Sequence, residues 1–150
     1  MSEHWYYEGE IYDPETPPED AVGYVYRITN LSNGRKYIGK KTFWSTRRVK
    51  QKGKVRRKKV VKESDWRKYY GSSNFLKEEV KELGKDKYKR EILRICKTKG
   101  ECSYWEAKLQ FQYDVILRDD YYNEYIQCRI HSSHIKKDDN DGEQGYATDL

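Results

Sequence analysis

Proline is scarce in this 150-residue chain and stops early, at Pro14, Pro17 and Pro18. Those three keep helix out of the first 20 residues. Long apolar runs are missing altogether. Nothing approaches the ~20 apolar residues of a membrane-spanning helix. Met1-Ser2-Glu3-His4 has neither the basic head nor the apolar run of a secretion signal. The expectation is a soluble, cytoplasmic protein with no membrane partner. Cysteine is sparse too. Cys96, Cys102 and Cys128 are odd in number and carry no short pairing signature, which reads as reduced structural thiols. Cys128, His131 and His134 form a C-x2-H-x2-H run, but it lacks a fourth ligand and a zinc spacing, so a plain surface or core role is expected. Lys and Arg are absent from residues 1–20, which hold seven acids.

Charge is what the chain has in abundance, at 37% of residues against 35% hydrophobic. Residues 137–150 add five acids and one lysine, which leaves 30 basic and 13 acidic residues in 21–136, a net of +17. A body that positive repels itself unless a polyanion is its partner, and nucleic acid is the first candidate. Ten Lys or Arg crowd into 47–62: Arg47, Arg48, Lys50, Lys52, Lys54, Arg56, Arg57, Lys58, Lys59 and Lys62. Gly53 and the lack of apolar spacing predict a loop or extended ribbon there. Together with Lys40 and Lys41 these cations form a candidate phosphate-binding set, whose affinity falls steeply with salt. The organisation expected is an acidic arm over 1–20, a folded body over 21–135 and an acidic, disordered tail over 136–150. Trp5, Tyr6, Tyr7, Ile11 and Tyr12 are too many large side chains for a free tail, so part of the loosely held arm docks on the body.

The 15 tyrosines include a pair that organises the body. Tyr24-Val25-Tyr26-Arg27-Ile28-Thr29-Asn30 and Lys36-Tyr37-Ile38-Gly39-Lys40-Lys41 flank a turn segment with Ser32, Asn33 and Gly34, which reads as a β-hairpin. With an even loop, Tyr24, Tyr26, Ile28, Tyr37 and Gly39 share one face and Val25, Arg27, Ile38 and Lys40 the other. A two-residue turn at Asn33-Gly34 pairs Tyr26 with Lys41 and leaves the two tyrosines about 13 Å apart, at ~3.3 Å per residue. A wider loop through Asn30 to Gly34 sets them directly opposite. Either the rings share a site, or they pack the sheet as aromatics on strands commonly do.

Further along, Thr42 is a candidate cap for a short helix over the following residues, and Ser64 for a turn that stops at Gly71. Ser73 caps a clearer helix, with Phe75, Leu76, Val80 and Leu83 at helical spacing and Gly84 ending it. Tyr88 to Cys96 reads as a third strand. Gly100 to Leu117 reads as the longest helix, with Trp105, Leu109 and Ile116 in one apolar stripe widened by Tyr104, Ala107, Phe111 and Val115. Glu106 borders that stripe, where a carboxylate needs a cation or a metal beside it.

Tyr24-Val25-Tyr26 and Tyr37-Ile38-Gly39 resemble the two half-motifs of the GIY-YIG nuclease family, the second letter for letter. The basic insert and the segment Asp65-Trp66 to Tyr70-Gly71-Ser72-Ser73 look most like the small phage-encoded homing-type endonucleases of the Seg group. The resemblance covers about 21–130. It implies an α+β fold, a small three-stranded antiparallel sheet flanked by helices with a basic insert after the first helix. It also implies a divalent-metal-dependent endonuclease that hydrolyses phosphodiester bonds of duplex DNA, by nicking or by double-strand cleavage. Tyr26, Tyr37, Arg47, Glu106 and Asn123 are then the catalytic candidates. Arg47 lies ten residues beyond Tyr37, on the helix where the family places its arginine, and a turn later Lys50 and Gln51 replace the family's histidine. Glu106 is the anchor for Mg²⁺ or Mn²⁺, with Glu101 in reserve and no small-molecule cofactor. Tyr26 serves as general base or as a relay, Tyr37 orients water or phosphate, and Arg47 holds phosphate oxygens. The rival class is a non-catalytic nucleic-acid-binding module on the same scaffold.

Overall fold

The acidic arm is part of the sheet. In the computed structural model, which describes residues 3–128 and 132, Trp5–Tyr7 (β1) and Glu10–Tyr12 (β2) form a tight hairpin. It turns at Glu8 and Gly9, whose φ values of 51° and 83° suit a two-residue reversal. Then come Gly23–Asn30 (β3), Lys36–Thr42 (β4), Trp44–Val49 (β5), Lys58–Glu63 (β6), Asn74–Leu83 (α1), Tyr88–Cys96 (β7) and Lys99–Gln112 (α2). The main sheet has the order β2-β1-β7-β3-β4, and β5-β6 is a separate two-stranded ribbon. The three-stranded antiparallel unit expected from sequence is present as β7-β3-β4. The correction is that β1, parallel to β7, and β2 widen it into a mixed five-stranded sheet. The described residues include no helix long and apolar enough to cross a membrane.

Side chains that the sequence does not pair hold the arm in place. Trp5 is 1% exposed, donates its indole N–H to the Trp66 carbonyl at 2.7 Å, and meets Tyr24 and Tyr26 edge-on. Arg90 of β7 is buried between the rings of Trp5 and Tyr70, at 4.7 and 4.2 Å. Among the described residues no carboxylate forms an ion pair with it; its guanidinium donates to the carbonyls of Arg67, Tyr69 and Glu3. Five N–H donors in a planar fork make that burial tolerable. Seven acids dominate residues 1–20, but the rings and Arg90 decide where the arm sits.

The β3–β4 register differs from both expected alternatives. Tyr26 pairs with Gly39 and Tyr37 with Ile28, with a four-residue loop, 31–34, inside the Asn30–Arg35 closure. The even loop keeps the expected face: the two tyrosines are diagonal neighbours, ring centroids 6.2 Å apart. Their face packs with Trp5, Phe43 and Trp66 and with Leu76 and Val80 of α1. On the opposite face Val25, Ile38 and Cys96 lie against Cys102 of α2 and Val115 beyond it.

The helices form where expected. Ser73 Oγ accepts from the Leu76 N–H, and Gly84, at φ 99°, ends α1. Thr98 caps α2 through the Glu101 N–H. That helix stops at Gln112 rather than at 117, and Phe111 and Ile116 of the expected stripe are exposed, as is Leu117. The short helix expected after Thr42 does not form. After the buried Phe43 the chain enters β5, so the basic insert is an antiparallel ribbon. Backbone pairing of Phe43 to Val22 and Ser64 favours it, and β-branched Thr46, Val49, Val60 and Val61 suit it.

Candidate active site

β4 is an edge strand, and what covers its open side builds the site. Three of its residues present backbone groups outward, and each finds a partner from the C-terminal third of the chain. Lys36 pairs with the backbone of Asp120 and Tyr122. Ile38 is held by Asn123, whose Oδ1 accepts from its N–H at 3.1 Å while Nδ2 donates to its carbonyl at 2.9 Å. The Ile38 carbonyl also accepts from Gln110 Nε2 of α2 at 2.9 Å. The Lys40 N–H faces the carboxylate of Glu106, one turn earlier on α2, and helps to hold its charge. An edge that would otherwise invite another strand is closed by an amide and a carboxylate.

The closure leaves a hollow of about 530 Å³ beside β4. Tyr37, Lys40, Tyr69, Glu106, Gln110 and Asn123 line it, and Ser72, Ser73 and Asn74 at the head of α1 form the opposite wall. Tyr37 reaches across, its hydroxyl 2.8 Å from Ser72 Oγ. Burial raises the Tyr37 pKa, partly offset by Ser72 and reinforced by Tyr69 and Glu106. The phenol is therefore neutral at neutral pH. Burial also raises the Glu106 pKa, while the Lys40 ammonium and N–H pull it back. Lys40 is exposed, with Nζ 2.6 Å from Ser103 Oγ.

Of the expected site residues, the structure brings Tyr37, Glu106 and Asn123 to one hollow, with Lys40 among them. Tyr26 lies beneath it, fully buried, its hydroxyl lacking a well-formed hydrogen bond among the described residues. Its ring lies over Gly39 so closely that a Cβ there would stand 2.5 Å from the hydroxyl oxygen. Desolvation, with Tyr69 and Tyr37 adding to it, raises the Tyr26 pKa well above its usual value. That is the wrong direction for a general base, one of the two roles expected of it, and leaves the relay. Arg47 lies on β5 rather than on a helix, exposed and outside the lining. Lys41 is drawn away too, ion-paired to Asp65 at 2.6 Å and set over the Tyr69 ring. Arg48, Lys50, Lys52, Lys54, Arg56, Arg57, Lys58, Lys59 and Lys62 all project to solvent from the ribbon and its loop. Glu101 stands 3.9 Å from Arg94, away from the hollow. His131, His134 and the acidic tail fall outside the described residues.

Sequence reasoning passed over three contributors. Gln110 follows Glu106 by one helical turn, a spacing that puts both on one face. Tyr69 sits edge-on to Tyr26, ring centroids 5.8 Å apart. The third is a polar hub behind the hollow. Glu79 of α1 accepts from Asn30 at 2.9 Å, from Tyr88 at 2.7 Å and from Tyr122. It ties the hairpin loop, α1, β7 and the Tyr122-Asn123 segment together. Asn30, the last residue of β3, serves that hub.

A divalent ion is tested by the donors present. No group of three or more His, Cys, Asp or Glu side chains gathers among the described residues. Two carboxylates line the hollow, Glu106 half-buried and Glu124 exposed at its rim, and the buried Oε1 of Gln110 has no donor among the described residues. Mg²⁺ is bound through one or two carboxylates, with water and phosphate completing its shell. The donor set fits such an ion and does not fit a closed zinc site.

Comparison with curated proteins gave no match, and comparison with solved structures gave none. One family matches along most of the chain, over residues 5–126, and its description is the GIY-YIG domain of putative endonuclease segE, so the protein belongs to the Seg-type GIY-YIG endonuclease family.

Proposed function

We propose that the protein is a divalent-metal-dependent endonuclease that hydrolyses phosphodiester bonds of duplex DNA. The observation that carries this reading is the convergence of Tyr37, Lys40 and Glu106 on one hollow at the clamped edge of β4. In the hydrolysis a water oxygen forms a new bond to phosphorus, a bridging P–O bond breaks, and the leaving oxygen takes a proton. Glu106, helped by the Gln110 amide oxygen, would hold Mg²⁺ or Mn²⁺, which when bound neutralises phosphate charge and lowers the pKa of water. Lys40 places a cation on the phosphoryl oxygens, where charge builds in the transition state. The head of α1, capped by Ser73, turns the positive end of its dipole to the same space. Tyr37 stays a neutral phenol, so it hydrogen-bonds an oxygen or relays a proton rather than acting as a phenolate base. Tyr26 supports Tyr37 from below. Asn123 is a positioning residue, fixing Ile38 and with it the flanking Tyr37 and Lys40.

A supercoiled plasmid incubated with the protein in Mg²⁺ or in EDTA tests this. Relaxed or linear product in Mg²⁺, absent in EDTA and absent with Glu106→Gln, is the expected result. The exposed place of Arg47 favours a second reading, a nucleic-acid-binding module without catalysis. Tight DNA binding with no cutting in any divalent metal would establish that reading instead.

A further inference from the structure

We propose that the β5–β6 ribbon enters the major groove of duplex DNA and reads base edges with its outward face, Ser45, Arg47, Val49, Lys58, Val60 and Lys62. This rests on duplex DNA being the partner, and adds to it the element that gives sequence preference.

The pairing assigns the two faces. Trp44 opposes Glu63, Thr46 opposes Val61 and Arg48 opposes Lys59; Ser45 opposes Lys62, Arg47 opposes Val60 and Val49 opposes Lys58. Side chains of directly opposed residues share a face, and alternate pairs share it too. The first set is anchored to the body at its root. Trp44 packs on the aromatic core, and Glu63 is gripped by Arg67 through two bonds, at 3.1 and 3.2 Å. Arg67 in turn reaches Asp13 and the Pro14 carbonyl. The second set lies on the face opposite that root contact, with Arg47, Lys58, Val60 and Lys62 exposed, and it contains no carboxylate.

Shape and charge name the occupant. An isolated two-stranded hairpin is marginal in water, and this one keeps Val55, Val60 and Val61 at 103%, 38% and 53% exposure. Residues 47–62 hold ten cations and no acid. Such a ribbon repels itself, and a polyanion relieves the repulsion. Six residue pairs extend about 20 Å at ~3.4 Å per residue. The major groove, ~12 Å wide, admits a two-stranded ribbon as it stands, whereas the ~6 Å minor groove takes one only when the duplex is bent or widened at an energetic cost. The outward face mixes long cationic donors with branched methyl groups. Guanine O6 and N7 accept from Arg or Lys, and the thymine methyl takes apolar contact. The remaining cations, Arg48, Lys59 and those of the 50–57 loop, then meet phosphates.

The test uses the full chain carrying Glu106→Gln, in EDTA, so that no DNA is cut. Affinity is measured for a random-sequence duplex, for the same duplex with bulky C5 substituents on its thymines, and with distamycin in the minor groove. Filling the major groove is expected to weaken binding at least tenfold, and distamycin to change it less than twofold. Two double variants remove equal charge from opposite faces. Arg47→Gln with Lys58→Gln should lose most of the sensitivity to C5 substituents. Arg48→Gln with Lys59→Gln should keep it and lower the slope of log affinity against log salt by ~1.8, at ~0.9 per phosphate contact. Indifference to C5 substituents, or equal behaviour of the two variants, overturns the inference. Plasmid cleavage in Mg²⁺ by the unsubstituted protein then still stands as the separate measure of the nuclease reading.

Discussion

Asn123 grips Ile38 by both of its backbone groups, N–H at 3.1 Å and carbonyl at 2.9 Å. One side chain thus replaces a neighbouring strand at the edge of the sheet, between the two residues of β4 that line the hollow. Asn123→Ala leaves the Ile38 N–H buried without a partner, at a cost of ~1–3 kcal/mol. Calorimetry should show that loss, and cleavage should fall further than stability explains. Asn123→Asp keeps the acceptor but sets a carboxylate oxygen against the buried Ile38 carbonyl, so at pH 7 it should be at least as destabilising as Asn123→Ala. Full activity in Asn123→Ala at a temperature where it is folded would remove its positioning role.

Glu106→Gln is expected to reduce Mg²⁺-dependent cleavage by ~100-fold or more, the scale of losing a centre of electrostatic stabilisation. Stability should move the other way. A carboxyl whose pKa is raised by burial binds its proton more tightly in the folded state, so ionising it penalises folding once pH passes the ordinary carboxylate range. Removing the charge should raise the melting temperature at pH 7, with the gain shrinking below pH 5. A lower melting temperature for the variant at pH 7 would mean that the carboxylate is well paired.

Tyr37→Phe and Tyr26→Phe should separate. Tyr37→Phe removes the one tyrosine hydroxyl that bonds Ser72 across the hollow, and cleavage should drop ~10- to 100-fold, within the range for a lost proton-transfer or hydrogen-bonding group. Tyr26→Phe removes a buried hydroxyl that has no well-formed hydrogen bond among the described residues and only a loose approach to Tyr69, so stability should change little. If Tyr26→Phe abolishes cleavage while Tyr37→Phe spares it, the two tyrosines have the opposite roles.

Gly39→Ala is expected to destabilise by ~1–3 kcal/mol through overpacking, because the added carbon meets Tyr26 at 2.5 Å. A Tyr26→Leu background should recover part of that cost in a double-mutant cycle. Strict additivity would show that the ring does not set the requirement for glycine.

Acid should loosen the hub before the core. Burial opposes ionisation of Glu79, but hydrogen bonds from Tyr122, Tyr88 and Asn30 outweigh it and hold its pKa below the usual value. The stability it supplies is complete above the unfolded carboxylate pKa, ~4.3, and is lost as pH falls through the lower folded value. In Glu79→Gln the dependence of stability on pH between 5 and 3 should flatten. An unchanged pH profile would place the acid sensitivity elsewhere.

The order β3, β4, α1, β7 and α2 was legible because it rests on local chemistry. The tyrosine-rich runs around Ser32-Asn33-Gly34 made β3 and β4, Ser73 and Gly84 bounded α1, and parity alone placed Tyr26 and Tyr37 on one face. Glu106 stood out because a carboxylate bordering an apolar stripe needs a partner. Tertiary structure decided the remainder, because those choices depend on residues far apart in the chain. Trp5 and Arg90, separated by 85 positions, turned an acidic arm into two strands of the sheet. Packing at Phe43 and Trp66 made the basic run a ribbon and carried Arg47 out to solvent. The open edge of β4 needed hydrogen-bond partners, and meeting that need brought Asn123, Gln110 and Glu106 to the side of Tyr37 and Lys40.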